Sequence, residues 1–187
     1  MAQGSFAAQV NDWVRETKER AVEVRNESAQ RVIAVMQEPG PSKATVKMAV
    51  AAGVGLGKVK KNGERGVSRK AFGPIANPGG TGNLPVDTGF LRASLIVGRG
   101  PISAATTKPP EDEEGRSYSW NDSGLRLAIE GAPLTGTIEA RYTAVYARVA
   151  EYGGPGRPGR RFVSLAAQQW QRIVSEVATE AQARAGG

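Results

Sequence analysis

The sequence predicts an α+β fold: a small antiparallel sheet of about four strands, packed by a long N-terminal helix and a C-terminal helix. Three observations carry that prediction. Small and apolar residues recur at three- and four-residue spacing from Phe6 to Met36, short strand-like runs separated by turn residues follow Leu84, and helical spacing returns after Ser164. Between the first two patterns lies a long, basic, glycine-rich insertion over 42–83. A chain of 187 residues reads as one domain, with 6–36 as the N-terminal helix and 84–184 as the sheet and C-terminal helix.

In the first element Val10, Val14, Thr17, Ala21, Val24, Ser28, Val32 and Val35 fall on one face. Mixed-sign pairs such as Glu16 and Arg20 occupy the wet side. The stripe is narrow and built of small side chains, so the expectation is packing against a single surface. Pro39-Gly-Pro41 ends the helix.

The insertion is poor in large apolar side chains, and such a segment cannot bury enough surface to offset its own ordering entropy. Neighbouring subunits or partner proteins are the natural candidates to order it. It holds eight of the 25 basic residues and one of the 18 acidic ones, leaving 17 of each elsewhere. The net charge of +7 is therefore local to this segment. A block of like charge points to a polyanion, and Lys58, Lys60, Lys61, Arg65, Arg69 and Lys70 are the candidate contacts to DNA phosphates or to an acidic protein surface.

Beyond Leu84 the strands expected are Ser94 to Arg99, Ser117 to Asn121, Leu125 to Glu130 and Thr135 to Arg141. Turn signals stand at Asp122-Ser-Gly124 and Gly131-Ala-Pro133, and 100–116 reads as a loop. Tyr142 to Tyr152 fits a short helix. The last helix is expected from about Ser164 to Arg184, with Ala166, Trp170, Ile173, Val177 and Ala181 in register.

Composition narrows the chemistry. The chain has no cysteine and no histidine, which removes disulfides, thiolates, ordinary triads and the commonest zinc ligands. Neither a signal peptide nor an apolar run long enough to span a bilayer is visible, so the expectation is a soluble protein with no membrane partner. At 40% hydrophobic and 6% aromatic residues the core is expected to be thin and aliphatic.

No motif assembles a catalytic set. Asp87-Thr-Gly89 occurs once, whereas aspartic proteases need two such triplets and an apolar strand after them. It reads instead as a turn: Pro85 favours extended backbone before it, Asp87 or Thr88 caps the following amides, Leu91 points inward and Arg92 outward. Gly53-Val-Gly-Leu-Gly-Lys58 departs from a phosphate-binding loop at both ends, with Ala52 and Val59 in the wrong places. The acidic run Glu111 to Glu114 lacks calcium-loop spacing. Glu151 stands before a turn with Arg157, Arg160 and Arg161, where a lone carboxylate is expected to form an ion pair that fixes the turn. The expectation is therefore no enzyme, no cofactor and no metal.

Pro85-Val-Asp-Thr-Gly-x-Leu-Arg-x-Ser94, then Tyr146-Ala-x-x-x-Glu-x-Gly153, then a basic turn, Phe162 and Ala166, resembles the tail-component family typified by gene product ten of HK-type lambdoid phages. That family includes tail completion proteins of long-tailed bacteriophages. The resemblance covers roughly 6–36 and 84–184. It departs at Arg161 and Leu165, where the family commonly has proline, so the approach into the last helix is expected to differ. It implies a structural virion protein of the neck or tail top, a tail completion or head–tail connector subunit. Such subunits form a ring, usually six-fold, between head connector and tail tube, touching adjacent neck, tail terminator and tail tube proteins, with viral DNA in the lumen. Assembly in the bacterial host cytoplasm follows. The tail terminator and the stopper ring occupy adjacent positions and are alternatives; a DNA-binding protein outside any virion is an alternative of another class. The resemblance makes Pro85, Asp87, Thr88, Gly89, Leu91, Arg92, Tyr146, Glu151, Gly153 and Phe162 structural residues of the motif pair.

Overall fold

In the computed structural model the residues described are 5–40, 56–59, 65–67, 83–84, 88–111, 116–155 and 157–185. The α+β class holds. Helix α1 spans Phe6–Met36, begins where the Ser5 side chain accepts the Ala8 N–H at 3.4 Å, and stops at Gln37. Proline then ends the pattern as expected, and Pro39 forms a parallel bridge with Leu84, with Leu84 N–H donating to Glu38 O at 2.9 Å and Gly40 N–H to Leu84 O at 2.8 Å.

The insertion contributes two short strands, β1 (Leu56–Val59) and β2 (Arg65–Val67), paired antiparallel with an irregularity in register. The turn after Leu84 leads into helix α2 (Phe90–Ala93) and strand β3 (Leu95–Arg99). Then come α3 (Ser123–Glu130), β4 (Ile138–Tyr142), α4 (Ala147–Tyr152), the two-residue strands β5 (Gly153–Gly154) and β6 (Arg157–Pro158), α5 (Phe162–Gln168) and α6 (Trp170–Ala185). The expected C-terminal helix is thus two helices, broken at Gln169.

The central sheet is the antiparallel pair β3–β4, in register from Leu95 opposite Tyr142 to Arg99 opposite Ile138. It has two strands where about four were expected, and the reasons are local. Leu125 to Glu130 is helix. Leu125-Arg-Leu-Ala-Ile129 alternates, yet Leu125 and Ile129 are also one helical turn apart, and a run this short satisfies both periods. Its Leu, Arg, Ala and Glu residues favour helix, and Asn121 Oδ1 accepts the Ser123 N–H at 2.9 Å at the start. Ile129 is fully buried while Leu127 is left 68% exposed, the outcome for the helical period. Ser117 to Asn121 is irregular: its backbone bonds to Thr88 and its rings pack on α2, which leaves no ladder to join.

One face of the ribbon covers the main core, where Leu95 joins Ala29, Ile33 and Met36 of α1, Ile129 of α3 and Ala166 of α5, with Val97, Ile138, Ala140 and Tyr142 at its margin. The C-terminal half of α1 is buried more widely than one stripe predicts. Asn26, Ser28, Ala29, Ile33 and Met36 are buried because this half meets α3, α5 and α6 as well. Helix α6 lies antiparallel to α1, since Arg31 pairs with Glu180 while Glu27 and Glu23 pair with Arg184. The other half of α1 stands uncovered: residues 6–21 are exposed apart from half-buried Val14.

Candidate functional site

The two segments that carry the sequence motifs meet in a second core. Leu84, Leu91, Ala144 and Phe162 are buried together, with Phe90, Tyr142, Ala147, Ala150 and Val163 around them. The Phe162 ring stands edge-on to Tyr142, centroids 5.4 Å apart. This junction is the place where residues far apart in the chain converge, and it shows what each motif residue does.

In the first motif Thr88 Oγ1 accepts the Phe90 N–H at 3.3 Å, so Thr88 does cap the following turn. Pro85 and Asp87 lie outside the described residues. Gly89 has φ +89° and no room for a side chain: a Cβ would sit 2.4 Å from the carbonyl oxygen of Tyr118. That approach lets Tyr118 N–H donate to Thr88 O at 2.8 Å. Leu91 points inward as expected.

Arg92 does not point out. Its guanidinium carbon lies 5.2 Å from the centre of the Trp120 ring, and its Nε is buried. Its carbonyl accepts from Gln37 Nε2 at 3.3 Å, tying α2 to the end of α1. The face of the Trp120 ring explains the difference, because it gives the guanidinium a half-buried place beside α2. Tyr142 lies nearby, donates to Met36 O at 3.2 Å, and has its phenol pushed well above the usual range by burial.

In the second motif Tyr146 precedes α4 and packs against Phe90, centroids 6.3 Å apart. Glu151, 4% exposed, makes no ion pair with Arg160 or Arg161, and the side chain of Arg157 lies outside what the structure describes. Its carboxylate reaches the start of α5 instead: Oε2 accepts the Val163 N–H at 2.9 Å, and Oε1 accepts the Ser164 N–H at 2.9 Å together with the Ser164 hydroxyl. Free amides at a helix start carry partial positive charge and need an acceptor, so they hold the carboxylate in place of a guanidinium that stays solvated at the surface. The same residue binds with its backbone, as Arg161 N–H donates to Glu151 O at 2.9 Å and Arg160 N–H to Ala150 O at 2.8 Å. Gly153 turns the chain at φ +88°.

Of the basic candidates, Lys58 lies in β1 and Arg65 in β2, while Lys60, Lys61, Arg69 and Lys70 lie outside the described residues. Sequence reasoning missed Gln37, Tyr118, Trp120 and Ser164, whose roles come from contacts across the chain that no local pattern marks.

A groove of 610 Å³ runs between α1 and α6, lined by Val24, Trp170, Ala178 and Ala181 with Arg20 and Gln182 at its edge. A smaller one of 290 Å³ opens over Val32, Met36, Ile138 and Ala140. Neither is lined by a carboxylate. Among the described residues no group of three acidic side chains is placed to hold a metal ion, and no helix is long and apolar enough to cross a membrane. No protein-family model, curated protein or solved structure matches the chain.

Proposed function

We propose that the chain is a structural virion protein of the bacteriophage neck or tail top: a tail completion or head–tail connector subunit, without enzymatic activity. It assembles as a ring between head connector and tail tube, with DNA passing through. The observation that carries this reading is the junction just described. The two segments that resemble the tail-component family fold onto one another, and the most conspicuous carboxylate in them is consumed in capping a helix. A side chain with two amides and a hydroxyl on its oxygens serves architecture, and the remaining surface is left for packing against neighbours.

The basic segment is assigned to the lumen or to an adjacent ring, in contact with DNA phosphates or an acidic partner. The segregation of charge in 42–83 equally favours a second reading, a DNA-binding protein outside any virion. Native mass measurement, alone and with tail tube subunits, separates the two. The first reading expects a closed oligomer of about six copies, formed alone or on the tube. A chain that stays monomeric, ignores tube subunits and binds duplex DNA with affinity falling steeply as salt rises overturns it in favour of the second.

A further inference from the structure

Two apolar stripes on this chain are exposed, and they match. On α1, Phe6 is 81% exposed, Val10 39% and Trp13 66%. Their spacing of four and three puts them on one helix face. At α4, Val145 is 49% exposed, Val149 53% and Tyr152 71%, with the same spacing of four and three. Each stripe ends on a large aromatic side chain; the first spans about two helical turns, roughly 10 Å, while in the second Val145 lies in the turn just before α4.

Their borders carry opposite charge. Asp12 and Glu16, one turn apart, flank the Trp13 side of the first stripe, and their present partners Arg15 and Arg20 are exposed neighbours on the same helix at 3.0 and 3.3 Å. Such exposed pairs contribute little and exchange readily for better ones. Arg148 borders the second stripe, one turn from both Val145 and Tyr152. Arg161 stands at its end, held there by its backbone bond to Glu151. Both are exposed, and neither pairs with a described carboxylate.

From this we infer that the Phe6–Val10–Trp13 stripe of one copy docks on the Val145–Val149–Tyr152 stripe of a second copy of this chain, with Asp12 and Glu16 facing Arg148 and Arg161. The inference rests on the ring-subunit reading and names the surfaces that make the ring. The occupant is a second copy because both halves of the contact are on one chain, with equal sequence spacing and complementary charge. The uncovered part of α1, residues 6–21, reaches roughly 24 Å, enough to lie across a neighbour. A helical segment of that length with a Phe and a Trp in water has little reason to be stable without cover. Because the two stripes are different surfaces, the contact is head-to-tail: every copy has one of each to offer, and the series ends only by closing.

Two single variants of the full chain test the pairing by native mass spectrometry. Trp13→Asp spoils the first stripe and leaves the second, and Val149→Asp does the reverse. Both positions are exposed and outside the two cores, so a retained cooperative melt is expected and confirms folding. The wild-type chain is expected to form a closed oligomer, each variant alone to be monomeric, and an equimolar mixture of the two to give a heterodimer and nothing larger, because only one intact contact remains. Arg148→Glu is expected to weaken that heterodimer about tenfold or more when carried by the Trp13→Asp chain. If the wild type assembles and both variants assemble equally well, the pairing is wrong while the ring reading stands. A wild type that stays monomeric alone, or a mixture that yields only monomers, also overturns the pairing; a wild type that forms no oligomer either alone or with tail tube subunits overturns the ring reading.

Discussion

Glu151 and Ser164 are joined through one oxygen: Oε1 of the buried carboxylate accepts both the backbone N–H and the hydroxyl of Ser164. With Oε2 on the Val163 N–H, the acid of α4 becomes the N-terminal cap of α5, a role the residue before that helix, Arg161, does not fill. Removing the carboxylate leaves buried amides unsatisfied, which costs about 1–3 kcal/mol for each group left without a partner. Glu151→Ala is therefore expected to lower stability by about 3 kcal/mol in urea unfolding. Glu151→Gln keeps one good acceptor but turns its amide donor towards other donors, and should cost about half as much. A Gln variant as stable as wild type would show that the charge contributes nothing at this helix start.

Arg161 is the one described non-glycine residue with positive φ, at +57°. An L-residue held there loses roughly 1 kcal/mol, a strain glycine does not feel. Arg161→Gly should accordingly be neutral or stabilising by up to about 1 kcal/mol. Proline, common at this place in the family that the chain resembles, is fixed near φ −65° and has no N–H to give to Glu151 O. Arg161→Pro is expected to cost about 3 kcal/mol or more, read as a fall in urea midpoint. A tolerated proline would mean that the start of α5 rearranges to the approach the resemblance implies.

At Gly89 two constraints coincide, a left-handed backbone and a Cβ position 2.4 Å from Tyr118 O. Gly89→Ala must either displace residues 116–120 or strain the start of α2, and a loss of about 2–4 kcal/mol is expected. Tyr118 and Trp120 both lean on α2, so the same change should alter near-ultraviolet circular dichroism. An unperturbed aromatic spectrum would show that the close approach is dispensable.

These contacts mark what the sequence can and cannot disclose. Helix α1 is legible to its ends, because a sustained period and a proline stop agree. The segment over 125–130 is not, since six residues fit a two-residue and a helical period equally and only burial of Ile129 with exposure of Leu127 decides. Glu151 is conspicuous as an isolated carboxylate, but its partners are amides 12 and 13 residues on, and backbone amides carry no sequence label. Arg92 illustrates the reverse error, as charge suggests solvent while a Trp ring offers it a half-buried place. The basic insertion was readable as charge alone, and most of it lies outside the described residues.

The antiparallel contact of α1 with α6 is laced by charge, and this sets its response to acid. The Glu27 carboxyl is held below its usual range by the hydrogen bond from Arg184, with burial opposing and Arg31 assisting; Glu180 is held low by the hydrogen bond from Arg31. Arg31, bonded to Glu180 and to Glu27 at 2.6 Å, is raised in turn. A carboxyl whose folded value is depressed adds stability that is fully present above its unfolded value, near 4.5, and is lost as pH falls through the folded one. The melting temperature should therefore hold from about pH 7 to 5 and drop below about pH 4.5. These groups are substantially exposed, so the drop is small and shrinks in high salt, where the pairs are already screened. Arg31→Met removes the hydrogen-bond partner of Glu180 and one of the two of Glu27, leaving Arg184 on Glu27, and should flatten part of that acid limb without touching the core beneath. An acid limb identical in wild type and Arg31→Met would place the protonating groups elsewhere in the chain.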